Sequence, residues 1–153
     1  MLRHLAQAAL VSLSAGLGTL PAAAQETAGL EIVWPTEAMI VPLGADADRV
    51  IGVVVRSNFT LRPAGQCGAE PRCGHIHMKI DPDGNTCNIP GRPYNSMNSD
   101  FGGDLIKARL GHCPDPLGAH VIGILLADQD HNPILVGGKP VTAQVTVKTT
   151  TAK

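Results

Sequence analysis

From Leu30 onward the chain is a series of short apolar or alternating runs, separated at each step by glycine or proline. Leu30-Glu31-Ile32-Val33-Trp34 reads as a strand stopped by Pro35. Val50 to Leu61 is a long β-branched run that becomes alternating before Pro63. In Gly74 to Asp81, Ile76, Met78 and Ile80 fall on one side and His75, His77 and Lys79 on the other. Successive strand residues face opposite ways, so this is the layout of a strand with one face in a core and a polar, half-exposed face. Asp104 to Leu110 alternates weakly, Ala119 to Ala127 is almost wholly apolar, and Val141 to Thr150 alternates valine with threonine. No segment carries a 3.6-residue apolar period. The pattern predicts an all-β fold, an antiparallel immunoglobulin-like β-sandwich of six to eight strands.

The first residues break this pattern. Met1-Leu2-Arg3-His4 is a short basic start, Leu5 to Leu20 is apolar and rich in alanine and leucine, and Pro21-Ala22-Ala23-Ala24 supplies small residues for cleavage. That is the layout of a secretory signal peptide over residues 1–24, with cleavage near Ala24. The run is too short and too broken by Ser12, Ser14, Gly16 and Gly18 to span a membrane. The mature chain, residues 25–153, is then expected to be one β-sandwich domain, periplasmic or secreted and not membrane-embedded.

Charge and composition narrow the partners. The chain has 12 basic and 13 acidic side chains, and losing Arg3 makes it one unit more negative. Without a basic run, nucleic acid is not an expected partner. Trp34, Phe59, Tyr94 and Phe101 are the whole mature aromatic set, too few for a stacking platform. Cys67, Cys73, Cys87 and Cys113 follow an export signal in even number, which predicts two disulfides. Four cysteines allow three connectivities; the expected one joins Cys67 to Cys73 and Cys87 to Cys113. A thiolate metal cluster would favour the tight Cys-x-x-Cys pairs that this chain lacks.

Candidate chemistry centres on histidine. Neutral imidazole is a common ligand for copper and zinc, and His75 and His77 share a strand face. His120 and His131 flank the apolar strand, about 25 Å apart along a sheet, so they cannot share one ion. If that strand runs antiparallel to the His-x-His strand, its far end approaches His75 and His77. This favours His131 as a third ligand, with Asp128 or Asp130 supplying an oxygen or holding an imidazole N–H. Lys79 on the same face would repel a cation. His120 is expected at a sandwich edge or turn, and His112 in a loop. Asp81-Pro82-Asp83-Gly84-Asn85 and Asp128-Gln129-Asp130-His131-Asn132 resemble the start of calcium loops, but both lack the full pattern and read as turns. Met39, Met78 and Met97 are scattered, and Met78 points toward the core. The long stretch from Cys87 to Gly103 is rich in small polar residues and reads as a loop, pinned by Cys87. No Gly-x-Ser-x-Gly elbow is present.

Four segments occur in order: Gly74-His75-Ile76-His77-Met78-Lys79-Ile80-Asp81, Asp100-Phe101-Gly102-Gly103-Asp104, Gly118-Ala119-His120-Val121-Ile122, and Leu126-Ala127-Asp128-Gln129-Asp130-His131-Asn132-Pro133. Together they resemble the DUF4399-like family of small exported bacterial domains of unknown function. The resemblance covers roughly Gly74 to Thr150. It implies a β-sandwich and export, and no established activity. The chain departs from the family pattern at Asn98-Ser99-Asp100, where histidine is frequent, and in having one fewer histidine on the His-rich strand. It also has Gln129-Asp130 before a single His131, and its cysteines look like an addition. The chain is also similar to copper–zinc superoxide dismutases in placing His-x-His on a sandwich. Its mature part, with five histidines, has one too few for their full site, and it lacks their glycine-rich ending. The sequence therefore points first to an exported binding module that coordinates copper or zinc through a histidine-bearing edge. Next comes a structural or interaction sandwich without metal, taking an unidentified periplasmic protein as partner. A copper-only, superoxide-dismutase-like enzyme is the lesser alternative, and an enzyme is the less favoured reading overall.

Overall fold

The computed structural model describes residues 28–83, 87 and 103–152. The segment expected to be an export signal, the Gly84-Asn85 step, and most of the Cys87–Gly103 loop, with Tyr94, Met97 and Phe101, lie outside the described residues. Among the described residues no helix is long and apolar enough to cross a membrane.

Two sheets carry the fold. One contains β1 (Leu30–Trp34), β3 (Val50–Ser57) and β6 (Leu105–Arg109), in the order β1-β3-β6 and antiparallel throughout. The other holds β2 (Met39–Leu43), β4 (Thr60–Leu61), β5 (Cys73–Ile80), β7 (Gly118–Ala127) and β10 (Thr142–Thr151), in the order β2-β10-β7-β5-β4. Its centre is antiparallel, and its edge strands β2 and β4 pair parallel to their neighbours. A two-residue-per-strand hairpin, β8 (Leu135–Val136) with β9 (Lys139–Pro140), lies apart from both sheets. A 3-10 turn, Leu110–His112, follows β6 and carries the exposed His112.

Strand alternation explains the core. Ile51, Val53 and Val55 of β3 and Ile106 and Ala108 of β6 meet the inward residues of the larger sheet. Those are Val41 and Leu43 of β2, Ile76, Met78 and Ile80 of β5, Ile122, Ile124 and Leu126 of β7, and Val145 and Val147 of β10. They form one buried cluster between the layers, so the architecture is a β-sandwich of immunoglobulin-like type. Each fully buried isoleucine, leucine or methionine contributes about 1.5–3 kcal/mol. Six such side chains, Ile76, Met78, Ile80, Ile122, Ile124 and Leu126, lie on β5 and β7.

Three strand expectations change. Val50–Leu61 is not one strand: it breaks at Asn58-Phe59, β3 staying in the smaller sheet while β4 joins the larger. Composition continues through that point, but the chain there switches layers. β2 has no counterpart in the sequence reading, because Pro42 interrupts its apolar run. An edge strand tolerates that proline, and β2 is an edge strand. The polar face of β5 is not half-exposed either, since all eight residues of β5 are buried, His75, His77 and Lys79 included. Alternation marks which face meets the core; it carries no information about what covers the other.

Candidate metal centre

The centre is built by register. β5 runs antiparallel to β7 with His75 opposite Ala127 and His77 opposite Leu125. Directly opposed residues project from the same side of a sheet, so both imidazoles stand beside a buried apolar wall, Leu125 and Ala127. β7 ends level with His75, and the turn that follows brings His131 across to the pair.

That turn is held by Asp128. Its Oδ1 accepts the backbone N–H of Asp130 at 2.9 Å and of Asn132 at 2.8 Å, and its Oδ2 accepts from Asn132 Nδ2 at 3.3 Å. The backbone N–H of His131 donates to the Asp128 carbonyl at 3.1 Å. His131 itself sits at φ 66°, a left-handed conformation that few side-chain-bearing residues adopt. The reward for that backbone geometry is the position of its ring. Asp128 is held below the usual carboxylate range. Partial burial works against ionisation, but the hydrogen bonds from Asn132 and Asp130, with His75 nearby, outweigh it.

The three rings converge on one point. His75 Nε2 lies 2.7 Å from His77 Nε2, His75 Nε2 is 3.2 Å from His131 Nδ1, and His77 Nε2 is 3.0 Å from His131 Nδ1. Three imidazole nitrogens in a triangle cannot satisfy one another. Each nitrogen offers either one N–H or one lone pair. Any assignment of protons leaves one edge of the triangle with two lone pairs, or two N–H groups, face to face. A cation at the centre meets all three lone pairs at once. Tetrahedral zinc with bonds of about 2.0–2.1 Å would place ligand nitrogens about 3.3 Å apart, a few tenths of an ångström beyond the spacing here.

Electrostatics favour the neutral form of the two strand histidines. The His77 pKa is lowered to about 4, by burial first and then by His75 and His131 beside it. His75 is lowered by burial and by His131, partly offset by the carboxylate of Asp128. Neutral imidazole is the ligating form, so the lowering at His75 and His77 favours coordination by those two rings. His75 Nδ1 is buried without a hydrogen-bond partner among the described residues. His131 is exposed, which leaves one side of the triangle open to solvent.

The remaining sequence candidates fall elsewhere. Asp130 is exposed and outside the cluster, contributing only its backbone N–H to the turn. Asp128 neither joins the three nitrogens nor bonds an imidazole; its oxygens are taken by the turn, and its influence on His75 is through space. The acidic residues expected as ligands or ring partners are therefore a hinge pin and a bystander. Cys67 is joined to Cys73, and Cys87 to Cys113. The first bridge ends at the first residue of β5, two positions before His75. His120 is not an edge or turn residue. It is buried on β7, which is central, and its Nδ1 meets Asp81 Oδ2 at 2.9 Å. Sequence reading missed this role for Asp81, whose only signal was an acid directly after an apolar strand. Met39 and Met78 serve β2 and the core.

No family model matches the chain, and no curated protein matches it. Among solved structures it is similar to the fibronectin(III)-like modules of Clostridium thermocellum CbhA, at 10% identity and a TM-score of 0.44. That alignment covers 81% of this chain and 99% of the module chain. It is also similar to part of the endo-beta-1,4-mannanase from Thermotoga petrophila, at 14% identity and a TM-score of 0.43, over 84% of this chain but only 21% of the mannanase.

Proposed function

We propose that this chain is an exported periplasmic binding module that coordinates one copper or zinc ion through His75 Nε2, His77 Nε2 and His131 Nδ1. The observation that carries the reading is the triangle of ring nitrogens at 2.7–3.2 Å, which hydrogen bonding alone leaves frustrated. The lowered pKa of His77 supports it, because a ring that stays neutral needs to release no proton on binding. Three neutral nitrogens suit both ions, with copper(II) the tighter at an unconstrained site. The exposed flank by His131 leaves a fourth position for water or a small ligand.

The test is a titration of metal-free, tag-free protein with copper(II) and zinc(II) in competition with a chelator. One equivalent is expected, and His131→Asn should weaken it at least 100-fold. Asparagine tolerates left-handed backbone, so the turn is kept while the ring is lost. Equal affinity in wild type and His131→Asn would end the proposal.

A further inference from the structure

A second cluster lies at the other end of the β5–β7 pair. Cys87 Sγ, Cys113 Sγ and a ring nitrogen of His120 all lie within 4.8 Å of one another, and all three residues are buried. His120 is 6% exposed. Its Nδ1 faces Asp81 Oδ2, and its Nε2 is buried without a partner among the described residues. Asp81 is itself fixed. Its Oδ1 accepts the Val121 N–H at 2.8 Å, and its own N–H donates to the Val121 carbonyl at 2.7 Å.

This carboxylate sets the tautomer. An ionised Asp81 accepts only, so a neutral His120 carries its proton on Nδ1 and keeps a lone pair on Nε2. A carboxylate–histidine pair with a free ring nitrogen is the outer half of many metal sites. A buried polar nitrogen with nothing to bond is costly, and here it belongs to a ring packed beside two sulfurs. The disulfide masks them as ligands.

We propose that reduction of the Cys87–Cys113 disulfide creates a second metal site of Cys₂His type, Cys87 Sγ, Cys113 Sγ and His120 Nε2, for a thiophilic d¹⁰ cation such as zinc(II). The reductant is a dithiol. Its two sulfurs become a disulfide as two electrons and two protons convert Cys87–Cys113 into two thiols. Zinc then binds both as thiolates, releasing those two protons, while His120 binds without losing one. Thiolates on tetrahedral zinc, with bonds of about 2.3 Å, sit about 3.8 Å apart. Two freed sulfurs relaxing out of bonding contact move toward that spacing. The site is independent of His75, His77 and His131.

The test uses the whole chain with His131→Asn, which removes the first cluster from the readout, and cobalt(II) as a coloured stand-in for zinc. Protein reduced anaerobically with a phosphine should take up one cobalt with a sulfur-to-cobalt charge-transfer band, and oxidised protein should show none. X-ray absorption of the zinc form should show two sulfurs and an imidazole, a readout that needs no variant at the site. Adding His120→Gln should weaken binding at least tenfold, whereas Cys67→Ser with Cys73→Ser should leave the band in place. The proposal is overturned by a reduced protein without the band, or by a zinc shell lacking either sulfur or imidazole. Undiminished binding in His120→Gln overturns it too, as does unfolding on reduction that cobalt does not reverse.

Discussion

His77 shows how burial and like neighbours turn an ordinary side chain into a poised one. Its ring loses water against Leu125 and Ala127 and faces two other imidazoles, so its pKa falls from 6.5 to about 4. In the unfolded chain it titrates normally, so between those values the unfolded state binds more protons. Stability of the metal-free protein is therefore full above pH 6.5 and declines as pH falls to about 4. Each pKa unit is worth about 1.4 kcal/mol, so roughly 2–3 kcal/mol should be lost across this window. Chemical denaturation at a series of pH values checks this, and His77→Gln should flatten the slope; an equal slope in that variant would remove His77 as its source. Asp128 acts at the same scale by different means. Asp128→Ala removes three hydrogen bonds from the turn and should cost about 1–2 kcal/mol. It should also weaken metal binding roughly tenfold by releasing His131. The histidines were legible because period-two spacing puts His75 and His77 on one face. The part of Asp128 was not, because a carboxylate beside histidines reads equally as a ligand or as a turn cap, and only the positions of the Asp130 and Asn132 N–H groups decide.

The site depends on the pairing of β5 with β7, and its weak point is Gly74. A Cβ there would lie 2.5 Å from the Ala127 carbonyl oxygen, a backbone atom that cannot swing aside. Gly74→Ala should push the start of β5 away from β7, at a cost of about 1–3 kcal/mol. Because His75 follows directly and Ala127 leads into the His131 turn, metal affinity should fall with it. Paired melting and metal titrations measure both, and a destabilised variant with intact affinity would show that the cluster tolerates movement between the strands. The alternation of β5, the apolar run of β7 and the valine–threonine pattern of β10 made these strands readable in the chain. Where one run served two sheets, as in Val50–Leu61, or where an edge strand carried Pro42, the pattern was silent, because neither feature changes the local period. Antiparallel order was the one tertiary assumption needed to bring His131 toward His75, and the register of β5 on β7 supplies it.

At the scale of the whole molecule, a metal that binds only the folded sandwich must stabilise all of it. With free copper or zinc at 100 times the dissociation constant, the gain is about 2.7 kcal/mol. The melting temperature should rise by several degrees in wild type and stay put in His131→Asn; a rise of equal size in both would place the ion elsewhere. The two disulfides close short and medium loops around the same sheet, Cys67–Cys73 at one end of β5 and Cys87–Cys113 toward the other. β7 borders both clusters, with His75 and His77 beside its Leu125–Ala127 face and His120 on its core-facing side. It carries His120 near its start and hands the chain to His131 at its end, with β5 alongside supplying His75, His77 and, just past its last residue, Asp81. The two strands thus work as a ruler with a mark at each end. Sliding one past the other by a single residue would invert the facing of every side chain on the moved strand, separating His75 from its wall and Val121 from Asp81 together. The two ends share one phase, so a single slip in register undoes both at once.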